Sequence, residues 1–426
     1  MYFYFESMLA WYNKNGEIMA EHINKLFEVG ELPELGVLPE KMYAWVLRNE
    51  TLGEPVTAFR EEIVRLPEVR RGEVIVANLY ASVNYNGVWA ALGKPKNVIA
   101  GNGDYSDDKE DFHIVGSEAC GIVYDVGEGV ERLRPGDIVS VGAAQFDPEC
   151  PVVKCGGDPV NSPTYRIWGY EANWGGFAQF SRVKAMQCHK LPDGMTVEQA
   201  ASCASAGVVA YRMLTYWQGN TLRKGDAVLI YGGTGGIGSI SIALTKALGG
   251  IPIAVVSSEE RGKQCIALGA EGYINRMNFR HWGMCADYTN AKTQKKWIYE
   301  AMKFRREIWK ILGRKQDPAI VIEHPGGDTL PTSLFVCGNG GMVVLCGATS
   351  SYFAGIDLRY LWMGQKRIQG CHSGTEEDYQ RYIDFIMKNG ITQPVGHIFS
   401  WDELPEAHQM EYENRAYPGK NLIKIV

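Results

Sequence analysis

Gly233, Gly235 and Gly238 form a G-x-G-x-x-G run within VLIYGGTGGIGSISIALTKALG (228–249), with Gly236 and Ile237 completing the loop. The run follows an apolar, β-rich stretch and opens a helical one. In that setting backbone N–H groups can approach a pyrophosphate at the positive end of a helix. The next strand pattern ends at Ser257–Ser258, with Arg261 and Lys263 just beyond. A site for NAD usually places a carboxylate there to hold the ribose 2′-hydroxyl. Hydroxyls and cations suit a 2′-phosphate instead, so the expected cofactor is NADPH. Glu259 and Glu260 are the nearby acids that would argue for NAD if one of them occupied the strand end.

Other residues with chemical capacity recur in short, distinctive strings. VNYNGVW (83–89) carries Asn84 and Asn86, and RIWGYEANWGG (166–176) carries Tyr170 and Glu171. VIEHPGG (321–327) carries His324, while RYLWMGQKRIQGCH (359–372) carries Arg359, Tyr360 and His372. An amide and an imidazole can donate hydrogen bonds to a substrate, and a carboxylate can accept them. Taken singly, a Tyr–Glu pair in a Gly-rich loop can also be a loop lock, and a histidine at a strand end can be structural. His113 and His324 are read as structural. Residues 292–315 form a basic amphipathic pattern, with Trp297, Ala301, Phe304, Ile308 and Ile311 at helical spacing. It is either a solvated face or a site for a multiply phosphorylated ligand, with Lys303, Arg305 and Arg306 as candidates.

The elements that must hold these residues can be read from the whole chain. Its 426 residues are enough for two domains. With 46% hydrophobic and 22% charged residues the composition is that of a globular protein. The net charge of −6 argues against a nucleic-acid partner. No apolar window is long enough for a membrane span, and no secretory leader pattern is present, so the expected location is the cytoplasm. The ten scattered cysteines show no zinc-ribbon spacing and no metal is expected. Residues 1–40 have helical periodicity, and β patterns with Gly and Pro turns run from about 41 to 141. Residues 147–176 look like loop. Thr196 caps a helical run, after which short apolar strands alternate with helices, the mark of a parallel sheet.

A β barrel followed by this α/β pattern resembles the medium-chain dehydrogenase/reductase superfamily, most clearly in HIVGSEACGIVYDVGEGVERLRPGDIV and LIYGGTGGIGSISI. The zinc branch of that superfamily holds a catalytic metal with a Cys and a Gly-His-Glu triplet. Here the triplet is Gly116–Ser117–Glu118 and Asn84 stands at the Cys position, so the chain resembles a zinc-free branch. The strings at 83–89, 166–176, 321–327 and 359–372 are similar to those of crotonyl-CoA carboxylase/reductases. The resemblance implies an α/β fold: a GroES-like β-barrel domain over 1–209 plus 376–426, with 1–40 as a helical extension, and a Rossmann domain over 210–375. It implies hydride transfer from NADPH to a 2-enoyl-CoA, the resulting enolate capturing CO2. The alternative is a simple enoyl-CoA or acryloyl-CoA reductase that protonates the enolate.

The resemblance also implies site roles. Asn86 donates to a CO2 oxygen, Glu171 and His372 order a water for the other oxygen, and Tyr170 walls the pocket. Arg359 and Tyr360 hold the phosphate and adenine end of CoA. The expected partners are acyl-CoA and CO2, in a homo-oligomer that is a tetramer by resemblance. Two positions depart from the family: Tyr170 replaces a Phe, and Ser373–Gly374–Thr375 follows His372 where an aromatic is usual.

Overall fold

The computed structural model describes residues 21–100 and 110–426. The chain forms two compact units. One runs to Ser205 and takes back Val395–Val426, and the other is Ala206–Pro394. Among the described residues no helix is long and apolar enough to cross a membrane.

In the first unit the alternating apolar stretches become mostly antiparallel strands. Glu73–Ser82 is central, with Ala119–Val126 along one edge. Its other edge is shared: Phe180–Lys184 pairs with its first half and Lys420–Lys424 with its last residues. Ile138–Val141 and Cys188–Lys190 extend the sheet on one side, and Val395–Phe399 extends it on the other. A three-stranded sheet of Arg60–Arg65, Lys41–Arg48 and Phe112–Ile114 packs on it through Met42, Val46, Ile75, Ala77 and Phe180. The helix Tyr85–Leu92 lies against Leu404–Tyr412.

The helix expected over 1–40 is not found in its described part; residues 1–20 lie outside the described residues. Instead Glu21–Ile23 and Val37–Pro39 pair as short parallel strands. The carbonyls that a helix would use internally are taken by the barrel. Gln179 Nε2 donates to Phe27 O and Glu28 O, both at 3.1 Å, and Tyr124 Oη donates to Pro33 O at 2.7 Å. Tertiary hydrogen bonds therefore outweigh a modest helical periodicity.

The second unit is a six-stranded parallel sheet in the order Gly272–Asn275, Ile251–Val256, Ala227–Tyr231, Ile320–Glu323, Met342–Leu345, Arg367–Gly370. The order runs outward in both directions from Ala227–Tyr231, so the doubly wound switch point lies beside that strand and just before the glycine loop. The central strands are apolar at nearly every position because helices cover both faces. The basic segment is a helix, Ala291–Leu312, which buries Ala301, Phe304 and Ile308. Phe304 meets Phe279 edge-on at 5.2 Å.

The expected domain boundaries need correcting at both crossings. The run from Thr196 is two helices, Val197–Cys203 and Ala206–Thr215, and the first crossing falls in the break between them, not at 209. The helix Glu376–Asn389 belongs to the second unit, so the return to the first comes at Val395, not at 376. The cause is a buried ion pair. Arg212, on the helix Ala206–Thr215, binds Asp378, the two side chains being 4% and 7% exposed. Thr375 N and Oγ1 also donate to Asp378 Oδ2, at 3.0 and 3.2 Å. The Tyr211 ring meets those of Tyr382 and Phe385 at 6.0 and 5.4 Å. A sequence pattern shows a helix there but not which unit receives it.

Removing one partner of a buried pair leaves the other charge uncompensated, at a cost of about 3–5 kcal/mol. Asp378→Ala is therefore expected to destabilise the nucleotide-fold unit by that amount in urea unfolding. A loss below about 1 kcal/mol would show that the pair does not anchor the Glu376–Asn389 helix.

Candidate active site

Asn84 is the N-cap of Tyr85–Leu92, yet its side chain makes no capping bond. Its Oδ1 instead accepts from the Lys420 ammonium, and its Nδ2 donates to Glu118 Oε2 at 3.4 Å. Lys420 also pairs with Glu118 Oε2 at 3.2 Å and donates to Val83 O at 3.2 Å. Glu118 Oε1 accepts from Ser205 N at 2.7 Å. Both charged side chains are buried, 4% exposed for Lys420 and 0% for Glu118. The positions that hold a metal in the zinc branch thus carry an amide, a hydroxyl and a carboxylate bound by a lysine. Among the described residues no three His, Cys, Asp or Glu groups converge as a metal site.

Two residues into this helix, Asn86 Nδ2 donates to Ser117 Oγ at 2.9 Å. An amide nitrogen carries two hydrogens, so one remains for a ligand. The Tyr170–Glu171 loop is held beside the same triplet. A Cβ on Gly169 would lie 2.2 Å from Gly116 O, an approach only glycine allows, and Gly176 N donates to Gly116 O at 2.8 Å. Glu171 Oε2 accepts from Ile167 N at 3.0 Å, fixing one carboxylate oxygen within the loop. The Tyr170 hydroxyl donates to Lys94 O at 3.3 Å. Asn86, Tyr170 and Glu171 are thus gathered around Gly116–Ser117 in the first unit. His372 belongs to the second unit, exposed and two residues beyond the strand Arg367–Gly370. In the Ser373–Gly374–Thr375 departure, Ser373 has φ +59° and Thr375 caps the helix Glu376–Asn389.

The cofactor loop fits a dinucleotide. Gly235 is the N-cap of Gly236–Ala247 and offers no side-chain cap, leaving the first helical N–H groups for a ligand. A Cβ on Gly238 would stand 2.1 Å from Gly232 O, so the loop closes only with glycine there. Arg261 Nη1 donates to Thr234 Oγ1 at 3.0 Å, bringing its guanidinium to the glycine loop. Ser258 Oγ accepts from Arg261 N as the N-cap of Glu259–Ala267, which leaves its O–H to donate. Ser257 precedes it at the strand end, and Lys263 is exposed on the same helix.

Of the two nearby acids, Glu259 is engaged by the next strand. Glu259 accepts from Tyr273 Oη at 2.7 Å and Asn275 Nδ2 at 2.9 Å. The Asn275 and Tyr273 hydrogen bonds hold its carboxyl below the usual range, turned toward the neighbouring strand. His324 Nε2 meets Tyr231 O at 3.1 Å beneath the loop.

The CoA candidates are close in sequence. Arg359 forms a two-pronged pair with Asp357, Nη2 to Oδ2 at 2.6 Å, and the Tyr360 ring meets Phe335 edge-on at 4.9 Å. On the basic helix Arg305 Nε pairs with Asp317 at 2.7 Å and Lys303 faces Glu300 at 3.2 Å. Arg306 is exposed.

Neither Lys420 nor Glu323 stands out in the sequence. Glu323 is buried at its strand end, where it accepts from Thr329, Ser333 and Gly326 N, and burial pushes its carboxyl up to about 7. Ser117 stands out only as the residue in place of a metal ligand. Lys420 does not, since Asn421, Leu422 and Ile423 beside it are buried alike and no alternation marks its face.

Comparison with known proteins gives the family. Residues 70–193 match the alcohol dehydrogenase GroES-like domain, and 236–388 match the family model described as zinc-binding dehydrogenase. The chain is 40% identical to a crotonyl-CoA carboxylase/reductase of Cereibacter sphaeroides over 94% of this chain and 91% of that one. The solved structure of the crotonyl-CoA carboxylase/reductase AntE with NADP superposes with a TM-score of 0.88, at 45% identity, covering 94% of this chain and 98% of that one. A 2-octenoyl-CoA carboxylase reductase, CinF, solved with NADP and 2-octenoyl-CoA, superposes at 0.83 with 32% identity, covering 91% and 88%.

Lys420→Met leaves Glu118 buried without its cation, and a loss of about 3–5 kcal/mol in unfolding free energy is expected. Adding Glu118→Gln, which keeps an oxygen for Ser205 N, should recover part of that loss. If Lys420→Met unfolds at the wild-type denaturant concentration, the pair carries no such weight.

Proposed function

The chain belongs to the crotonyl-CoA carboxylase/reductase family, and on that footing we propose that it reduces a 2-enoyl-CoA with NADPH and joins CO2 to the enolate formed. What supports the carboxylating reading is the Asn86–Ser117 hydrogen bond at 2.9 Å, which leaves a second amide N–H beside the residue that stands in place of a metal ligand. NADPH, when bound, supplies the hydride that goes to the β carbon of the enoyl thioester. The residues of this chain decide what then reaches the α carbon.

CO2 carries no net charge, so it is held through its oxygens by donors that need not desolvate a counter-ion. Asn86 offers its second N–H to one of them. Glu171 and His372 keep the water-ordering role that the family resemblance implies. A proton competes with CO2 for the same carbon, so the pocket must deny it a source. The Tyr170 hydroxyl has a backbone acceptor in Lys94 O, which supports a wall that does not act as an acid. Arg261 with Ser257, Ser258 and Lys263 receives the 2′-phosphate, and Arg359 and Tyr360 receive the nucleotide end of CoA.

We also assign a homo-oligomer, a tetramer by family resemblance. Arg367–Gly370 ends the parallel sheet with no further strand beside it among the described residues, and Leu358, Trp362 and Met363 are 59%, 67% and 66% exposed. The ten cysteines are all free thiols, which suits the reducing cytoplasm that we assign as its location.

With crotonyl-CoA, NADPH and 13C-bicarbonate, the expected product is ethylmalonyl-CoA one mass unit heavier than with ordinary bicarbonate. Asn86→Leu should still oxidise NADPH but shift the product ratio toward the saturated acyl-CoA by about a hundredfold, the scale of one lost charge-stabilising donor. Saturated acyl-CoA alone from the wild type at saturating CO2 would overturn the carboxylase reading, and an unmoved ratio in the variant would remove Asn86 from the CO2 site.

A further inference from the structure

Gly87 follows Asn86, and the residue beneath it is His408, on the helix Leu404–Tyr412. His408 is fully buried. Its Nδ1–H donates to Leu404 O at 2.9 Å, which fixes the neutral tautomer and leaves Nε2 as a bare lone pair. Burial pushes the imidazole down to about 4, so it stays uncharged at neutral pH. Nε2 has no hydrogen-bond partner. The ring is clamped between aromatics, with Phe59 tilted at 4.7 Å and Phe177 edge-on at 5.2 Å.

A Cβ on Gly87 would lie 2.5 Å from Nε2 and 2.8 Å from Cδ2 of this ring. The ring cannot retreat, because Phe59, Phe177 and the Leu404 carbonyl hold it. The helix Tyr85–Leu92 therefore rests on the imidazole edge, and the thickness of that contact sets its height. Its start is fixed separately by Asn84, through Lys420 and Glu118. With the start pinned and the inner face seated, the Asn86 amide meets Ser117 Oγ at 2.9 Å. A methyl group at position 87 would need about 1 Å more room to reach ordinary van der Waals contact. A shift of that size is enough to break a hydrogen bond whose useful range ends near 3.5 Å.

We propose that His408 and Gly87 are a positioning pair for CO2 capture: the buried ring sets the depth of the Asn86 helix, and so the aim of the Asn86 amide. The proposal rests on the assignment of Asn86 to CO2. It separates His408 from general core packing, because a packing role predicts a change in stability and none in product identity.

The test compares the ratio of carboxylated to saturated product for Gly87→Ala, His408→Ala, the double variant and Asn86→Leu, with crotonyl-CoA, NADPH and saturating bicarbonate. Thermal melts report folding, and the ratio is internal to each reaction. The expected result is a fall of about tenfold in the ratio for Gly87→Ala, with at least half of the logarithmic shift recovered when His408→Ala makes room. A wild-type ratio in folded Gly87→Ala, while Asn86→Leu moves it, would overturn the pair and leave Asn86 in place. A shift in Gly87→Ala that His408→Ala does not relieve would also overturn it. If neither Gly87→Ala nor Asn86→Leu moves the ratio, the Asn86 assignment is wrong and the pair falls with it. Should Gly87→Ala fail to fold, His408→Ala decides alone: a reduced ratio supports the pair and a wild-type ratio overturns it.

Discussion

A buried lysine must have acceptors for all three of its hydrogens, and a buried carboxylate must have a cation. Lys420 and Glu118 meet both demands at once, and four pieces of chain are tied by doing so. Lys420 comes from the closing strand and Glu118 from the segment leading into Ala119–Val126. Asn84 begins the site helix, and Ser205 is the last residue before the chain leaves the first unit. The Asn84 side chain is drawn from its usual capping role into this cluster, so the entry of the Asn86 helix is set by charge pairing. The Asn86–Ser117 contact depends on that entry.

The second unit solves a different problem with the same economy of polar groups. At its switch point the chain must present N–H groups to a pyrophosphate and a positive environment to a 2′-phosphate. Arg261 reaches the glycine loop through Thr234. The competing carboxylate of Glu259 is drawn off by Tyr273 and Asn275 on the adjacent strand.

Most of the framework is legible in the sequence because its signals are local. The glycine loop between a strand and a helix, the Thr196 cap, the amphipathic basic helix and the parallel strand pattern all rest on spacing within one element. What could not be read depends on contacts between segments distant in the chain. The boundary at Pro394 follows from Arg212 meeting Asp378, 166 positions apart. The loss of the helix over 21–40 follows from Gln179 and Tyr124 taking its carbonyls. The importance of Lys420 and His408 comes from burial, which residue type alone would argue against for a lysine. The site strings were recognisable, but the reason Asn86 points at Ser117 lies in residues more than 300 positions away along the chain.

Reductive carboxylation delivers hydride to the β carbon and CO2 to the α carbon of the same molecule in one turnover. The direct measurement uses crotonyl-CoA with NADPH deuterated at the transferring position and 13C-bicarbonate, followed by mass spectrometry with fragment assignment. The expected product is an ethylmalonyl-CoA carrying deuterium in its ethyl arm and 13C in its new carboxyl group, in equal amounts. Deuterium confined to a saturated acyl-CoA, or 13C in a product without deuterium, would contradict it.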